Sequence, residues 1–92
     1  MKLYVVHDQI ANEDVSCFFM QNEATLERSF RDCLEDVKNG KVMKPGFLRD
    51  GFSIYEYEPG NADPDNSKGN SDWILVKEIE MLDLLPELRN ED

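Results

Sequence analysis

Residues 22–40 read NEATLERSFRDCLEDVKNG, and this stretch decides the fold because a helix is specified at both of its ends and along its length. Asn22 can turn its side-chain oxygen onto an orphan N–H of the first turn, and Glu23 sets negative charge at the positive end of the macrodipole. Leu26, Phe30, Cys33, Leu34 and Val37 recur at the spacing of one face of a 3.6-residue helix, with Glu27, Arg28, Arg31, Asp32, Glu35 and Asp36 on the remainder. Lys38 suits the negative end, and Asn39-Gly40 tolerates the left-handed conformation that stops a helix. One face is therefore core and the other solvated.

Outward from the helix the chain reads as strands. Before it, MKLYVVH (1–7) and VSCFFMQ (15–21) are short apolar runs rich in β-formers, joined by a polar turn. They predict a hairpin whose first strand lies centrally in the sheet. After it, KVMKPGFLRDG (41–51) carries the turn signals Pro45-Gly46 and Asp50-Gly51, with Phe47 and Leu48 placed to tuck under the helix. FSIYEYE (52–58) alternates Phe52, Ile54 and Glu56 with Ser53, Tyr55 and Tyr57 as a third strand. WILVKEIEM (73–81) is the fourth, with Trp73, Leu75, Lys77 and Ile79 expected on one side and Ile74, Val76 and Glu78 on the other. Residues 82–89 suit a short helix broken by Pro86 or an extended arm, and 89–92 a frayed tail. The expected fold is α+β: a four-stranded, mainly antiparallel sheet with one long helix on one face, in the order β-β-α-β-β.

A 92-residue chain holds one core and one domain. Between the third and fourth strands, residues 59–72 contain no large apolar side chain and are expected to form an exposed acidic loop. No apolar run is long enough for a membrane span or a secretory signal, so a cytoplasmic location is expected. Cys17 and Cys33 fall in apolar patterns, as reduced thiols do, and a strand-to-helix disulfide is the less favoured alternative.

The formal net charge of −10 is unevenly spread: residues 1–55 hold nine acids and seven bases, residues 56–92 eleven acids and three bases. Arg28, Arg31, Lys38, Lys41, Lys44 and Arg49 make the only basic stretch. The whole-chain field repels nucleic acid, while a local surface built from Arg28, Arg31, Lys41, Lys44 and Arg49 is the candidate site for phosphate. The plainer account is that these bases answer neighbouring acids on a solvated helix. Tyr4, Tyr55 and Tyr57 are candidate partner-binding residues, and Tyr4, Val6, Tyr55 and Val76 could form an apolar patch buried by a second subunit. Phe18 or Phe19, Phe30, Phe52 and Trp73 are assigned to the core.

Catalytic and metal patterns find little support. His7 is the single histidine and belongs to no recognisable nucleophile motif, and two cysteines with one histidine complete no usual zinc set. Asp63, Asp65 and Ser67 have the early spacing of a calcium loop, but Lys68 stands where its glycine belongs and Ile74 where its bidentate acid belongs. No metal, no cofactor and no enzymatic activity are expected.

The segments M-K-L-Y-x-V-x-D (1–8), F-F-x-x-N-E-A-T-x-x-R-x-F-x-D (18–32) and F-S-I-Y-E-Y-E-P-G (52–60) resemble the small nonstructural protein of gokushovirus-type microviruses, which are single-stranded DNA phages. The resemblance spans about residues 1 to 60. It implies a non-enzymatic accessory factor that assists single-stranded DNA synthesis or genome packaging in the host cytoplasm, contacting single-stranded DNA or phage and host replication and procapsid proteins. It transfers no defined functional residues, although Arg28 matches its helix motif. The expanded 59–72 segment and the acidic tail depart from that pattern and weigh against direct DNA binding. Two hypotheses follow: a DNA-binding phage accessory, whose salt-sensitive binding would weaken when Arg28 and Arg31 are both lost, and an acidic protein-interaction factor or inhibitor of a basic nucleic-acid-binding protein. A homodimer is compatible with either.

Overall fold

The computed structural model describes residues 1–60 and 73–90. Strands β1 (Lys2–Asp8), β2 (Glu13–Met20), β3 (Phe52–Pro59) and β4 (Trp73–Glu80) form one sheet in the order β2-β1-β3-β4, with every neighbouring pair antiparallel. Helix α1 (Glu23–Lys38) follows β2, and a short helix α2 (Met81–Leu84) leads into a 3₁₀ segment, Pro86–Asn90. The α+β class, the strand-helix order and the central place of β1 are as the sequence predicts. Pro86 ends the α-helical conformation of the C-terminal segment because its ring clashes with the preceding turn. The expected acidic loop falls largely on residues 61–72, outside the described residues, as does the end of the tail.

The helix boundaries follow from local chemistry. Asn22 is the N-cap, its Oδ1 accepting from the Thr25 backbone N–H at 2.9 Å and from the Thr25 hydroxyl at 3.0 Å. At the other end the Asn39 and Gly40 amides donate back to the carbonyls of Glu35 and Val37, and Gly40 takes φ +73°, a conformation that costs glycine nothing. Asn22→Ala should therefore destabilise the protein by about 1 kcal/mol, readable from urea denaturation with an unchanged slope. The hairpin turn is similarly explicit: Asp8 Oδ1 accepts from the amides of Ile10 and Ala11, and Asn12 takes φ 55°.

Strand alternation then decides which side chains meet the helix. Tyr4 and Val6 of β1, Phe52 and Ile54 of β3, and Leu26 and Phe30 of α1 are buried together with Leu48, Met81, Leu84, Leu85 and Leu88. The C-terminal segment thus completes the core beside α1 instead of extending as an arm. Phe18, Phe30 and Phe47 form a three-ring cluster with centroids 5.5 to 6.0 Å apart, which places Phe47 and Leu48 against the helix side as the sequence suggests.

Tyr4 and Val6 are wholly buried. The expected patch of Tyr4, Val6, Tyr55 and Val76 does not exist as one surface, because Tyr4 and Val6 point to the helix while Tyr55, one register step away on β3, points to the opposite face. The Tyr4 hydroxyl donates to Glu56 Oε1 at 2.7 Å, so a buried carboxylate on the same face of β3 holds the phenol in place. Lys2 Nζ reaches Glu56 at 3.4 Å and Glu58 at 3.3 Å, partly balancing that charge. Burial, followed by the adjoining Glu56 carboxylate, pushes the Tyr4 hydroxyl well above the ordinary tyrosine value. A group raised in this way stabilises the fold fully below its unfolded value near 10 and progressively less as pH rises above it. Alkaline destabilisation that starts near pH 10 in the parent and is blunted in Tyr4→Phe is the expected outcome.

Candidate interaction surfaces

Among the described residues, the helix and the C-terminal segment cover one face of the sheet and leave the other open. Onto the open face project Leu3, Val5 and His7 of β1, Cys17 and Phe19 of β2, Ser53, Tyr55 and Tyr57 of β3, and Trp73, Leu75, Glu78 and Glu80 of β4. Irregularities in the ladder set this membership. One residue, Val76, is extra where β4 passes Glu56 and Tyr57, so Lys77 lies opposite Glu56 but Leu75 lies opposite Tyr57. Simple alternation places Trp73, Leu75, Lys77 and Ile79 together; the bulge instead sends Lys77 and Ile79 to the helix side and Trp73 and Leu75 to the open side. Lys77 there pairs with Glu23 at the start of α1, which holds its ammonium in the charged form. A second irregularity lies between Val6 and His7, and makes Asp14 the partner of His7.

The open face has two ends of different character. At one end Phe19, Leu3, Tyr57 and Leu75 form a row across all four strands, and the Trp73 ring lies 5.9 Å from that of Phe19. Phe19 is 56% exposed and Leu75 51%, so this row meets water although every member is apolar or aromatic. Trp73 is half-buried and belongs to this surface, not to the core to which the sequence assigns it. At the other end are His7, Asp14, Ser53, Glu78 and Glu80. His7 Nδ1 lies 2.9 Å from Asp14 Oδ1, His7 Nε2 lies 3.2 Å from Asn12 Oδ1, and the imidazole meets Tyr55 edge-on at 5.3 Å. The Gln9 amide donates to both oxygens of Glu80 at 3.0 Å, reaching past β3 to β4. Beneath it the Ser53 hydroxyl is buried without a hydrogen-bond partner.

The candidate basic residues do not join this face. Arg28 and Arg31 lie on the exposed outer side of α1, Lys41 and Lys44 on the exposed segment after it, and Arg49 near the start of β3 with its guanidinium 5.9 Å from the Phe52 ring centre. Arg31 is held by two carboxylates: Nη1 donates to Glu27 Oε2 at 2.7 Å, and Nε to Glu87 Oε2 at 3.0 Å. It therefore ties α1 to the C-terminal segment, an arrangement that matches the expectation of bases answering nearby acids. The Arg31 guanidinium in turn holds the Glu87 carboxyl below the ordinary carboxylate value. Stability from a depressed carboxyl is present above its unfolded value of 4.5 and is lost as pH falls through its folded value. Acid unfolding below pH 4.5 should consequently be steeper in the parent than in Glu87→Gln, as followed by helical circular dichroism.

No group of three or more histidine, cysteine or acidic side chains among the described residues has metal-binding geometry. Cys17 and Cys33 are free thiols, Cys17 on the open face and Cys33 on α1. Among the described residues, no helix is long and apolar enough to cross a membrane. Of the three tyrosines named from the sequence, Tyr55 and Tyr57 share the open face and Tyr4 is removed to the core. Leu75 and Trp73 were not expected on this surface. The adjacent pair Phe18-Phe19 must split between two faces in any strand, and of the two rings offered for the core the structure turns Phe18 inward and Phe19 outward. Comparison of the chain with protein-family models, with curated proteins and with solved structures gives no match.

Proposed function

We propose that this chain is a non-enzymatic accessory protein of a small single-stranded DNA phage, acting in genome synthesis or packaging by contacting protein components of the replication or procapsid machinery. The phage context rests on the resemblance of residues 1–8, 18–32 and 52–60. The choice of protein over DNA rests on one observation: among the described residues, the exposed rings and the cations lie on different surfaces. Among them the open face supplies Phe19, Tyr55, Tyr57 and Trp73 but no lysine or arginine, while Arg28 and Arg31 lie beyond the helix on the opposite side of the sheet. Single-strand binding requires both, because phosphate neutralisation supplies most of the sequence-independent affinity.

The aromatic rings on an open antiparallel face favour a second reading, in which they stack on single-stranded DNA, as nucleic-acid-binding sheets do. Fluorescence anisotropy of a labelled oligodeoxythymidine at low salt separates the two. Protein contact predicts no saturable binding, and an unchanged result with Arg28→Ala/Arg31→Ala. Tight, salt-sensitive binding lost with Tyr55→Ala/Tyr57→Ala would establish the DNA reading instead. The phage role itself is tested in the encoding genome, where disabling this chain should lower single-stranded DNA output or packaged particles and spare double-stranded replication. Normal yields of both would reject it. A free-standing acidic inhibitor of a basic host protein predicts that outcome together with loss of the partner when acids of residues 56–92 are neutralised.

A further inference from the structure

The polar end of the open face holds a covered pit. Asp14, His7, Ser53 and Glu80 make a row across the four strands, one residue from each. Ser53 is the floor: no part of it reaches solvent, and its hydroxyl meets no hydrogen-bond partner. Gln9 is the cover, its exposed side chain crossing from the turn after β1 to donate to both oxygens of Glu80 at 3.0 Å. The Gln9 main chain is anchored separately, its amide donating to the Gly51 carbonyl at 2.9 Å, so the side chain can turn away without disturbing the strand. His7 does not answer the hydroxyl, because its two ring nitrogens already face Asp14 and Asn12. An orphaned buried hydroxyl costs stability, and a native structure keeps one where something beyond the chain completes it.

We propose that Ser53 and Glu80, with Glu78 beside them, form a subsite for a lysine ammonium of a basic protein partner, and that the Gln9 amide holds its place on Glu80 until the partner docks. The inference rests on the reading that this chain contacts protein, and it names the partner's chemistry. Three observations select the ammonium. Among the described residues, the open face carries the carboxylates of Asp14, Glu78 and Glu80 and no lysine or arginine, so it attracts cations and repels acids and phosphate. An ammonium has three donors, enough to meet the Ser53 hydroxyl and Glu80 together, and its charge-assisted bond to Glu80 is stronger than that of the neutral Gln9 amide. Tyr55, on the same face of β3 and opposite Glu78, offers its ring to the incoming cation and its aliphatic stem.

Two-dimensional amide NMR of the full chain, titrated with a blocked threonine–lysine repeat peptide at low salt, tests the subsite. The Gln9 side-chain signals and the Ser53 and Glu80 amides should shift saturably, less so as salt is added, and the same peptide with its lysines acetylated should leave them still. Glu80→Gln and Ser53→Ala should each weaken binding about tenfold or more, the scale of a hydrogen bond to a charged group. Gln9→Ala should tighten it, because Glu80 is uncovered. In the free chain Ser53→Ala should leave the urea midpoint unchanged or raise it, since the hydroxyl has no partner to lose. No shift at Gln9 and Ser53 overturns the proposal, as does an equal response to the acetylated peptide or an affinity untouched by Ser53→Ala. General attraction to an acidic chain would weaken as much with Asp32→Asn/Glu35→Gln on α1 as with Glu78→Gln/Glu80→Gln, and that result also overturns it. The phage-yield experiment above is read independently: reduced yields without peptide binding sink the subsite alone, and peptide binding with normal yields sinks the phage role alone.

Discussion

Tyr4→Ala is expected to remove about 3–5 kcal/mol of stability, the range for truncating a fully buried aromatic side chain. Against the roughly 5–14 kcal/mol available to a chain of this size, that loss is between about a fifth and all of the total. Two effects combine. The ring fills the space between α1 and the central strands, where no atom of Tyr4 reaches solvent. Its hydroxyl is also a close donor to Glu56, a carboxylate itself only 2% exposed. Tyr4→Phe separates these effects by keeping the ring and orphaning the acceptor, and should cost about 1–3 kcal/mol. Chemical denaturation of both variants measures the difference. A near-neutral Tyr4→Ala would place Tyr4 on a surface, as a partner-binding residue requires, and would contradict the fold of β1.

The second large effect distinguishes neighbours in the chain. Phe30→Ala should cost about 3–5 kcal/mol because it empties the centre of the Phe18, Phe30 and Phe47 cluster. Phe18 takes part in that cluster from β2, and Phe18→Ala should also be clearly destabilising. Phe19→Ser, one residue along, should change the stability of the monomer by about 0.5 kcal/mol or less, because the ring already stands mostly in water. Thermal or urea unfolding at low protein concentration, where association does not contribute, resolves this contrast. Equal costs at positions 18 and 19 would mean that both faces of the sheet are covered within one chain.

The parts of the fold that could be read from the sequence are those where a single local signal is decisive. Asn22, the 3.6-residue recurrence from Leu26 to Val37 and Asn39-Gly40 specify α1 independently of everything else, and the cap hydrogen bonds and the positive φ of Gly40 follow the same chemistry. Faces of the strands were harder to read. β1 is apolar on both sides through Leu3, Tyr4, Val5 and Val6, so alternation does not say which pair meets the helix, and Tyr4 was placed on the wrong one. In β4 the run Trp73, Ile74, Leu75 and Val76 has the same ambiguity, and the bulge at Val76 reverses the alternation beyond it. A bulge depends on how β3 and β4 pair, and the β4 residues themselves do not announce it. Glu56 shows the limit most clearly, since nothing in F-S-I-Y-E-Y-E marks its carboxylate as buried; the hydroxyl that satisfies it comes from position 4 on another strand.

The candidate site was legible to the same degree. Alternation in β3 placed Tyr55 and Tyr57 together, and they do share the open face. The basic stretch 28–49 looked continuous in sequence because distance along a chain hides the turn of a helix and the acids it meets. Arg31 finds Glu27 one turn away and Glu87 far along the chain, and only the second contact required the folded structure.

The open face carries the single tryptophan of the chain, so its exposure has a direct optical reporter. Acrylamide quenching of Trp73 in dilute protein tests whether the sheet face bearing Phe19, Tyr57 and Leu75 stands open. A quenching constant well above that of a buried indole, rising further in Phe19→Ser as the neighbouring ring is removed, is the predicted result. A constant as low as that of a fully buried indole, unchanged in Phe19→Ser, would contradict it.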